Sequence, residues 1–133
     1  MMIITRNDLQ QRIEDFLCEK LHPKTEIRCG SSGIIETASG RKLFLKCGYS
    51  SPSYRCEATG IAEIADVGAI KTSTVIAVDD DFILTGYIPR SNRKEDFFKL
   101  FGRRLAAMHR CKSDCFGFRE DNFIGLGPQP NIA

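Results

Sequence analysis

Two opposite charges stand where a chain normally keeps apolar residues: Lys46 at the end of "KLFLK" and Glu57 within "YRCEATGIAEIADVGAI". Glu57 precedes Ile61 and Ile64 by one and two helical turns, so on a helix its carboxylate shares the face expected to be buried. In "KLFLK" the side chains alternate, which places Lys46 with Phe44 at the end of a strand whose two faces both read as covered. A lone buried charge is costly, and pairing Lys46 with Glu57 relieves both penalties. The chemistry open to such a pair is the neutralisation of the α and β phosphates of a nucleotide by a strand lysine that a helix glutamate orients. Upstream, "RCGSSG" contains Gly30, Ser31, Ser32 and Gly33, whose backbone amides can approach phosphates closely. A plain hairpin turn has the same appearance.

Two further clusters carry less. "HRCKSDC" offers His109, Cys111 and Cys115 as metal ligands, but a fourth ligand and any C-x-x-C spacing are missing. These cysteines are expected to pack as small hydrophobes at a helix end. The run Asp79, Asp80, Asp81 reads as a solvated turn in preference to a cation site.

The elements that position these groups follow from periodicity. Leu9, Ile13, Phe16, Leu17 and Leu21 form a helical stripe, with Asn7 and Gln10 spaced as a capping box and Pro23 expected to stop the helix near "LHPK". "TEIRCGSSGIIETASGRKLFLKCG" breaks at glycines into two or three antiparallel strands. Ser51 and Pro52 read as the N-cap and first turn of the helix carrying Glu57, and Gly68 as its C-cap. "TSTVIAVDDDFILTGYIP" reads as a strand hairpin. Asn92 and Glu95 open a helix over 93–110 with Phe97, Leu100, Phe101, Leu105 and Met108 on one face. The remaining "KSDCFGFREDNFIGLGPQPNIA" has no regular period and reads as loop, with His109 and Phe116 packing beneath it.

The order is helix, strands, helix, hairpin, helix, loop, which is an α+β layout on an antiparallel sheet. A Gly-rich turn, strand lysine, helix glutamate and hairpin in that order describe the small lobe of a protein-kinase-like fold. At 133 residues the chain has room for one domain of ordinary size. Its 42% hydrophobic and 27% charged residues exclude a disordered chain. No apolar run approaches the roughly 20 residues that span a bilayer, so no membrane partner is expected. The start has no basic segment leading into an apolar core, which makes a cytoplasmic address the expectation. A net charge of +2, with acids and bases interleaved, gives no case for nucleic acid. Without an export signal, the six cysteines are expected to be reduced thiols.

The segment "FGRRLAAMHRCKSDCFGFREDNFIGLGPQPN" resembles the fructosamine (ketosamine) kinases, relatives of the aminoglycoside phosphotransferases, which carry an L-A-x-L-H-like helix end followed by F-G-F, D-N-F/Y-I-G and P-Q-x-N. "LFLK", "YRCEATGIAEIADVGAI" and "FILTGYIP" are similar to the family's lysine strand, glutamate helix and hinge, so the resemblance covers nearly the whole chain. It implies a cytosolic kinase that uses ATP and magnesium to phosphorylate a sugar hydroxyl of glycated amines. It further implies that Lys46 holds ATP phosphates, Glu57 orients Lys46, Gly30, Ser31, Ser32 and Gly33 form the phosphate loop, and the backbone at Gly86, Tyr87 and Ile88 meets adenine. Gly86 stands where the family usually has a glutamate. Asp121 and Asn122 match the D-N-F/Y-I-G run without a derivable role. The implied division is a small lobe over 1–90 and the start of a large lobe over 91–133.

Phosphoryl transfer needs one aspartate to position the attacking hydroxyl and another to hold magnesium. In the family the first lies within H-G-D, but here His22 precedes Pro23 and His109 precedes Arg110. The expectation is therefore an N-terminal piece of such a kinase that gives no turnover alone. The alternative is a non-catalytic module that binds a nucleotide or protein. The apolar stripe over 93–110 is expected to meet a complementing large lobe or to drive self-association.

Overall fold

The computed structural model describes residues 6–114 and 116–131. Helix α1 (Arg6–Leu17) turns Leu9 and Ile13 into the core. Asn7 lies inside this helix, so the expected capping box is not its boundary. The helix also stops well short of Pro23. Cys18 adopts φ 52°, its N–H donates to the Asp15 carbonyl at 3.3 Å, and the Glu19 N–H donates to the Glu14 carbonyl at 3.2 Å. This is a Schellman closure with a non-glycine in the left-handed position. The physical reason for the early stop is Glu14, whose carboxylate accepts from Lys20 Nζ at 2.6 Å, Gln10 Nε2 at 3.1 Å and the Leu21 N–H at 3.1 Å. Leu21 is thereby folded back to bridge Thr37.

A four-stranded antiparallel sheet follows, made of β1 (Ser31–Glu36), β2 (Lys42–Cys47), β3 (Val75–Val78) and β4 (Phe82–Gly86) in the order β1-β2-β4-β3. Alternation along β2 buries Leu43, Leu45 and Cys47 and leaves Lys42, Phe44 and Lys46 on the open face. Leu43, Leu45, Phe82 and Leu84 pack with Leu9, Ile13, Leu21, Ile27 and Ile35 to form the core. The Phe16 ring meets Phe82 edge-on at 5.9 Å.

Helix α2 (Ser53–Val67) ends at Gly68 with φ 71°, as the sequence implied. At its start the first intrahelical bond runs from Cys56 N–H to the Pro52 carbonyl, so Pro52 occupies the cap position. Ser51 sits one residue earlier, where its Oγ accepts the Ser53 N–H at 3.2 Å. Helix α3 (Phe97–His109) starts with Asp96 at the cap instead of the Asn92 and Glu95 box. The Arg93 guanidinium, just before the helix, stacks over the Phe97 and Phe98 rings at 5.6 and 5.3 Å. Phe97, Leu100 and Phe101 remain 40, 43 and 45% exposed.

The tail is not loop throughout. Residues β5 (Asn122–Ile124) and β6 (Gly127–Gln129) form a hairpin whose turn contains Gly125 at φ 61°. No helix among the described residues is long and apolar enough to cross a membrane.

The Glu14 carboxyl is held down to about 2 by Lys20, Gln10 and the Leu21 N–H, in that order. Because the folded value lies below the ordinary carboxylate range, its stabilisation is complete above about pH 4.5 and lost as pH falls toward 2. Glu14→Gln is expected to lower stability at pH 7, with the gap to wild type closing over that acid window. Urea unfolding between pH 7 and 2.5 measures it, and a gap independent of pH would contradict the assignment.

Candidate functional site

Lys46 leaves β2 on the side away from the core, and Glu57 reaches it from the early part of α2. Their Nζ and Oε2 atoms lie 2.7 Å apart. The pair forms as expected, but not in the interior: the side chains keep 49% and 39% exposure. The expectation of two covered strand faces fails because α2 buries none of its residues outright. Ile61 and Ile64, which share the Glu57 face, are themselves half-buried.

An exposed ion pair contributes only about 0–1 kcal/mol. Its placement must therefore come from neighbouring elements. The acidic turn between β3 and β4 supplies most of it. Asp81 is 2% exposed and forms a direct ion pair with Arg12 of α1, while its Oδ1 finds no donor among the described residues. Arg12 also lies 3.3 Å from Asp79, and Arg55 of α2 binds Asp80 at 2.7 Å and Asp79 at 2.9 Å. The hydrogen bond to Asp81 raises the Arg12 pKa, and that to Asp80 raises Arg55. Backbone joins in: Gly48 N–H donates to the Asp81 carbonyl at 3.0 Å, and Ser51 N–H to that of Asp80 at 2.6 Å. The solvated turn expected here is thus a bracket tying α1, β4 and the start of α2 together. Sequence reasoning missed it because the two arginines lie far from the turn along the chain.

The Gly-rich stretch is mostly strand. Gly30, at φ 80°, occupies the turn and donates its N–H to the Cys47 carbonyl at 3.0 Å. Ser31, Ser32 and Gly33 pair with Cys47, Lys46 and Leu45, so Ser32 stands directly across from Lys46. Nearby, a Cβ added at Gly48 would meet the Tyr54 hydroxyl at 2.9 Å, so a side chain at the exit of β2 would displace that ring's hydroxyl end. Burial pushes the Cys47 thiol up to about 11. A groove of about 460 Å³ follows β1, lined by residues 24–28 with Leu45 and Cys47, and these two side chains lie on the face of β2 opposite Lys46. Ser31, Ser32 and Gly33 also line it, whereas Lys46 and Glu57 do not.

At the end of β4, Gly86 N–H donates to the Thr74 carbonyl at 2.8 Å, Tyr87 is half-buried and Ile88 is 64% exposed. In the tail, Asp121 accepts the Asn131 N–H at 2.7 Å and Asn122 Oδ1 accepts from Asn131 Nδ2 at 2.8 Å. His109 and Phe116 do not pack beneath this segment; both are exposed, and the half-buried rings there are Phe118 and Phe123. Cys111 is exposed, contrary to the packing expected of it, and Cys115 lies outside the described residues. Among the described residues Cys18, Cys29, Cys47, Cys56 and Cys111 are free thiols, and no group of three His, Cys, Asp or Glu side chains is arranged to hold a metal.

An antiparallel sheet with a strand lysine paired to a helix glutamate is the arrangement of a kinase-like α+β fold. The fructosamine kinase profile matches residues 6–133, and the chain belongs to the fructosamine kinase family. It is similar to a solved structure from Thermobifida fusca, provisionally assigned as a fructosamine-3-kinase, with a TM-score of 0.79 and 23% identity over 94% of this chain and 46% of that one. A second, from Haemophilus somnus and provisionally assigned likewise, gives a TM-score of 0.75 and 20% identity over 93% of this chain and 46% of that one. The chain therefore spans about half the length of these structures. Among curated proteins, none matches it.

The two kinds of ion pair predict different responses. Arg12→Ala leaves Asp81 buried without compensation and is expected to cost about 3 kcal/mol, whereas Glu57→Gln is expected to cost less than about 1 kcal/mol. Denaturant midpoints at pH 7 test the ranking, and a reversed order would contradict it.

Proposed function

We propose that this chain forms the nucleotide-holding part of an ATP-dependent kinase whose acceptor is a sugar hydroxyl of fructosamines or related ketosamines. The observation that carries the proposal is the 2.7 Å contact between Lys46 and Glu57, open to solvent, in a chain of this family. An ammonium has three donors, and with one turned to Glu57 the others remain free to meet α and β phosphate oxygens. The ATP phosphates fit this geometry. Glu57 orients Lys46, Ser32 borders it from β1, and Gly30, Ser31 and Gly33 shape the adjoining backbone. The segment of Gly86, Tyr87 and Ile88 takes the adenine edge. Magnesium, which supplies charge neutralisation in this class, finds no cluster of ligands among the described residues, and no step is assigned to it.

In this reading residues 1–90 form the small lobe and 91–133 begin the large one. The attacking hydroxyl needs a positioning carboxylate, and residues 1–133 contain no His-Gly-Asp run. Turnover then depends on a complementing large lobe. The free thiols accord with a cytoplasmic setting.

Calorimetric titration with ATP is expected to show saturable heat, with Lys46→Ala weakening affinity roughly tenfold or more through loss of a charge-assisted contact. Indistinguishable titrations would overturn the phosphate role. A phosphorylation assay on a fructosyl-lysine peptide should show no transfer by residues 1–133 alone.

A second reading, a non-catalytic binding module, is favoured by the exposed side of α3. There Phe97, Leu100 and Phe101 line one face and stay 40–45% exposed, with the Arg93 guanidinium over the Phe97 ring. That reading predicts concentration-dependent self-association in sedimentation runs, lost in Phe101→Glu. A monomer at all concentrations would remove self-association as the cover for this face.

A further inference from the structure

We infer that the β5–β6 hairpin is a strut that sets the position of α2, and that Asn131, Asp121 and Phe118 are positioning residues for the Lys46–Glu57 pair. The inference rests on the phosphate role proposed above for that pair.

The hairpin is closed on itself by one residue, through its backbone N–H and its side-chain amide. Asn131 donates its N–H to the Asp121 carboxylate at 2.7 Å and its Nδ2 to the Glu120 carbonyl at 3.0 Å and to Asn122 Oδ1 at 2.8 Å. Gly117 turns at φ 81° so close by that a Cβ there would meet Asn131 Oδ1 at 2.5 Å. Both ends of the segment are thereby knotted into one unit. Such a unit transmits position because it cannot open without losing several bonds at once.

The unit meets α2 at three places. Cys56 Sγ donates to the Asp121 carbonyl at 3.5 Å. The Phe118 ring comes within 3.9 Å of where a Cβ on Gly60 would stand. Arg119 N–H donates to the Glu63 carboxylate at 3.4 Å. Positions 56, 60 and 63 are spaced by four and then three, which is a single face of a helix. Glu57, the next residue after Cys56, faces Lys46 instead.

Helix α2 needs this second support. It has no fully buried residue, so packing alone does not fix its height or rotation. Arg55 pins its first turn to the acidic bracket, and its body lies against β3 and β4 without burying a residue outright, which leaves its rotation to be set by further contacts. A slide of one helical turn moves a residue by about 5 Å. That exceeds anything the 2.7 Å contact of Glu57 with Lys46 could follow.

The test uses the 133-residue chain in four versions: wild type, Asn131→Ala, Glu57→Gln and the double variant, each titrated with ATP by calorimetry. Asn131→Ala is expected to weaken ATP binding roughly three- to tenfold when Glu57 is present, as for one hydrogen bond's loss of alignment, and not at all in the Glu57→Gln background. Effects that multiply in the double variant would overturn the inference. Phe118→Ala, which removes the ring beside Gly60 and leaves the bonds of Asn131 intact, is expected to repeat the pattern. In parallel, iodoacetamide labelling read by peptide mass spectrometry is expected to show Cys56 reacting severalfold faster in Asn131→Ala, with Cys18 unchanged. An unchanged Cys56 rate would overturn the strut whatever the ATP result. No ATP heat in the wild type would overturn the phosphate role, and the Cys56 rate would then decide by itself whether the hairpin braces α2.

Discussion

The ion pair between Asp81 and Arg12 is the constraint from which the arrangement of the site follows. Asp81 is almost wholly out of water, and a carboxylate there demands a compensating charge. Arg12 supplies it only if α1 lies against the sheet, which is the same placement that buries Leu9 and Ile13. The turn that carries Asp81 then has Asp79 and Asp80 left to engage Arg55, and its carbonyls left to hold Gly48 and Ser51. The entrance to α2 is therefore built on the core's own electrostatics. Glu57 arrives beside Lys46 because the chain from β2 to α2 is tethered at both sides of its bend.

This division of labour is consistent with an open pair in the phosphate role proposed for Lys46 and Glu57. Holding Lys46 and Glu57 in the interior would need desolvation to be offset by tight mutual pairing, and an ammonium saturated in that way has no donors left for phosphate. Exposure removes that conflict but also removes most of the pair's own energy. The geometry is inherited from stronger contacts elsewhere, and in the proposed role Lys46 would keep Glu57 and give up only water for a phosphate oxygen.

Much of the fold was legible in the sequence, and the misses share a cause. The hairpin of β3 and β4 and the alternation along β2 were visible because period two is local. The Gly68 cap was visible because a left-handed residue after an apolar stripe has one usual chemistry. The likeness of the tail to the family was visible as a run of residues. What was not legible depended on partners distant along the chain. Glu14 ends α1 early by collecting Lys20 and Leu21, and no helix-stop residue marks that point. The acidic run looked like a solvated turn because Arg12 and Arg55 come from two separate helices. The openness of Lys46 was missed because the strand's neighbours appear identical whether a helix covers them closely or leaves a gap. The β5–β6 hairpin did carry a local mark, Gly125 in a short turn between Ile124 and Leu126, but its strands are too short to show a period.

The way α2 is held has a consequence for motion. Elements fixed by core burial open only with the whole domain, whereas those fixed by exposed bonds open locally and at lower cost. Helix α1 belongs to the first kind, with Ile13 fully buried and Leu9 nearly so. Helix α2 is closer to the second, since it packs on β3 and β4 without a fully buried residue and adds exposed contacts at Arg55, Cys56 and Glu63. In kinase folds the lysine and glutamate must both be in place before phosphates are held correctly, and displacement of the glutamate helix undoes that. Here the same helix buries no residue outright, while its lysine strand lies inside the sheet, flanked by β1 and β4. Any event that loosens the tail hairpin therefore acts on Glu57 and leaves Lys46 where it is.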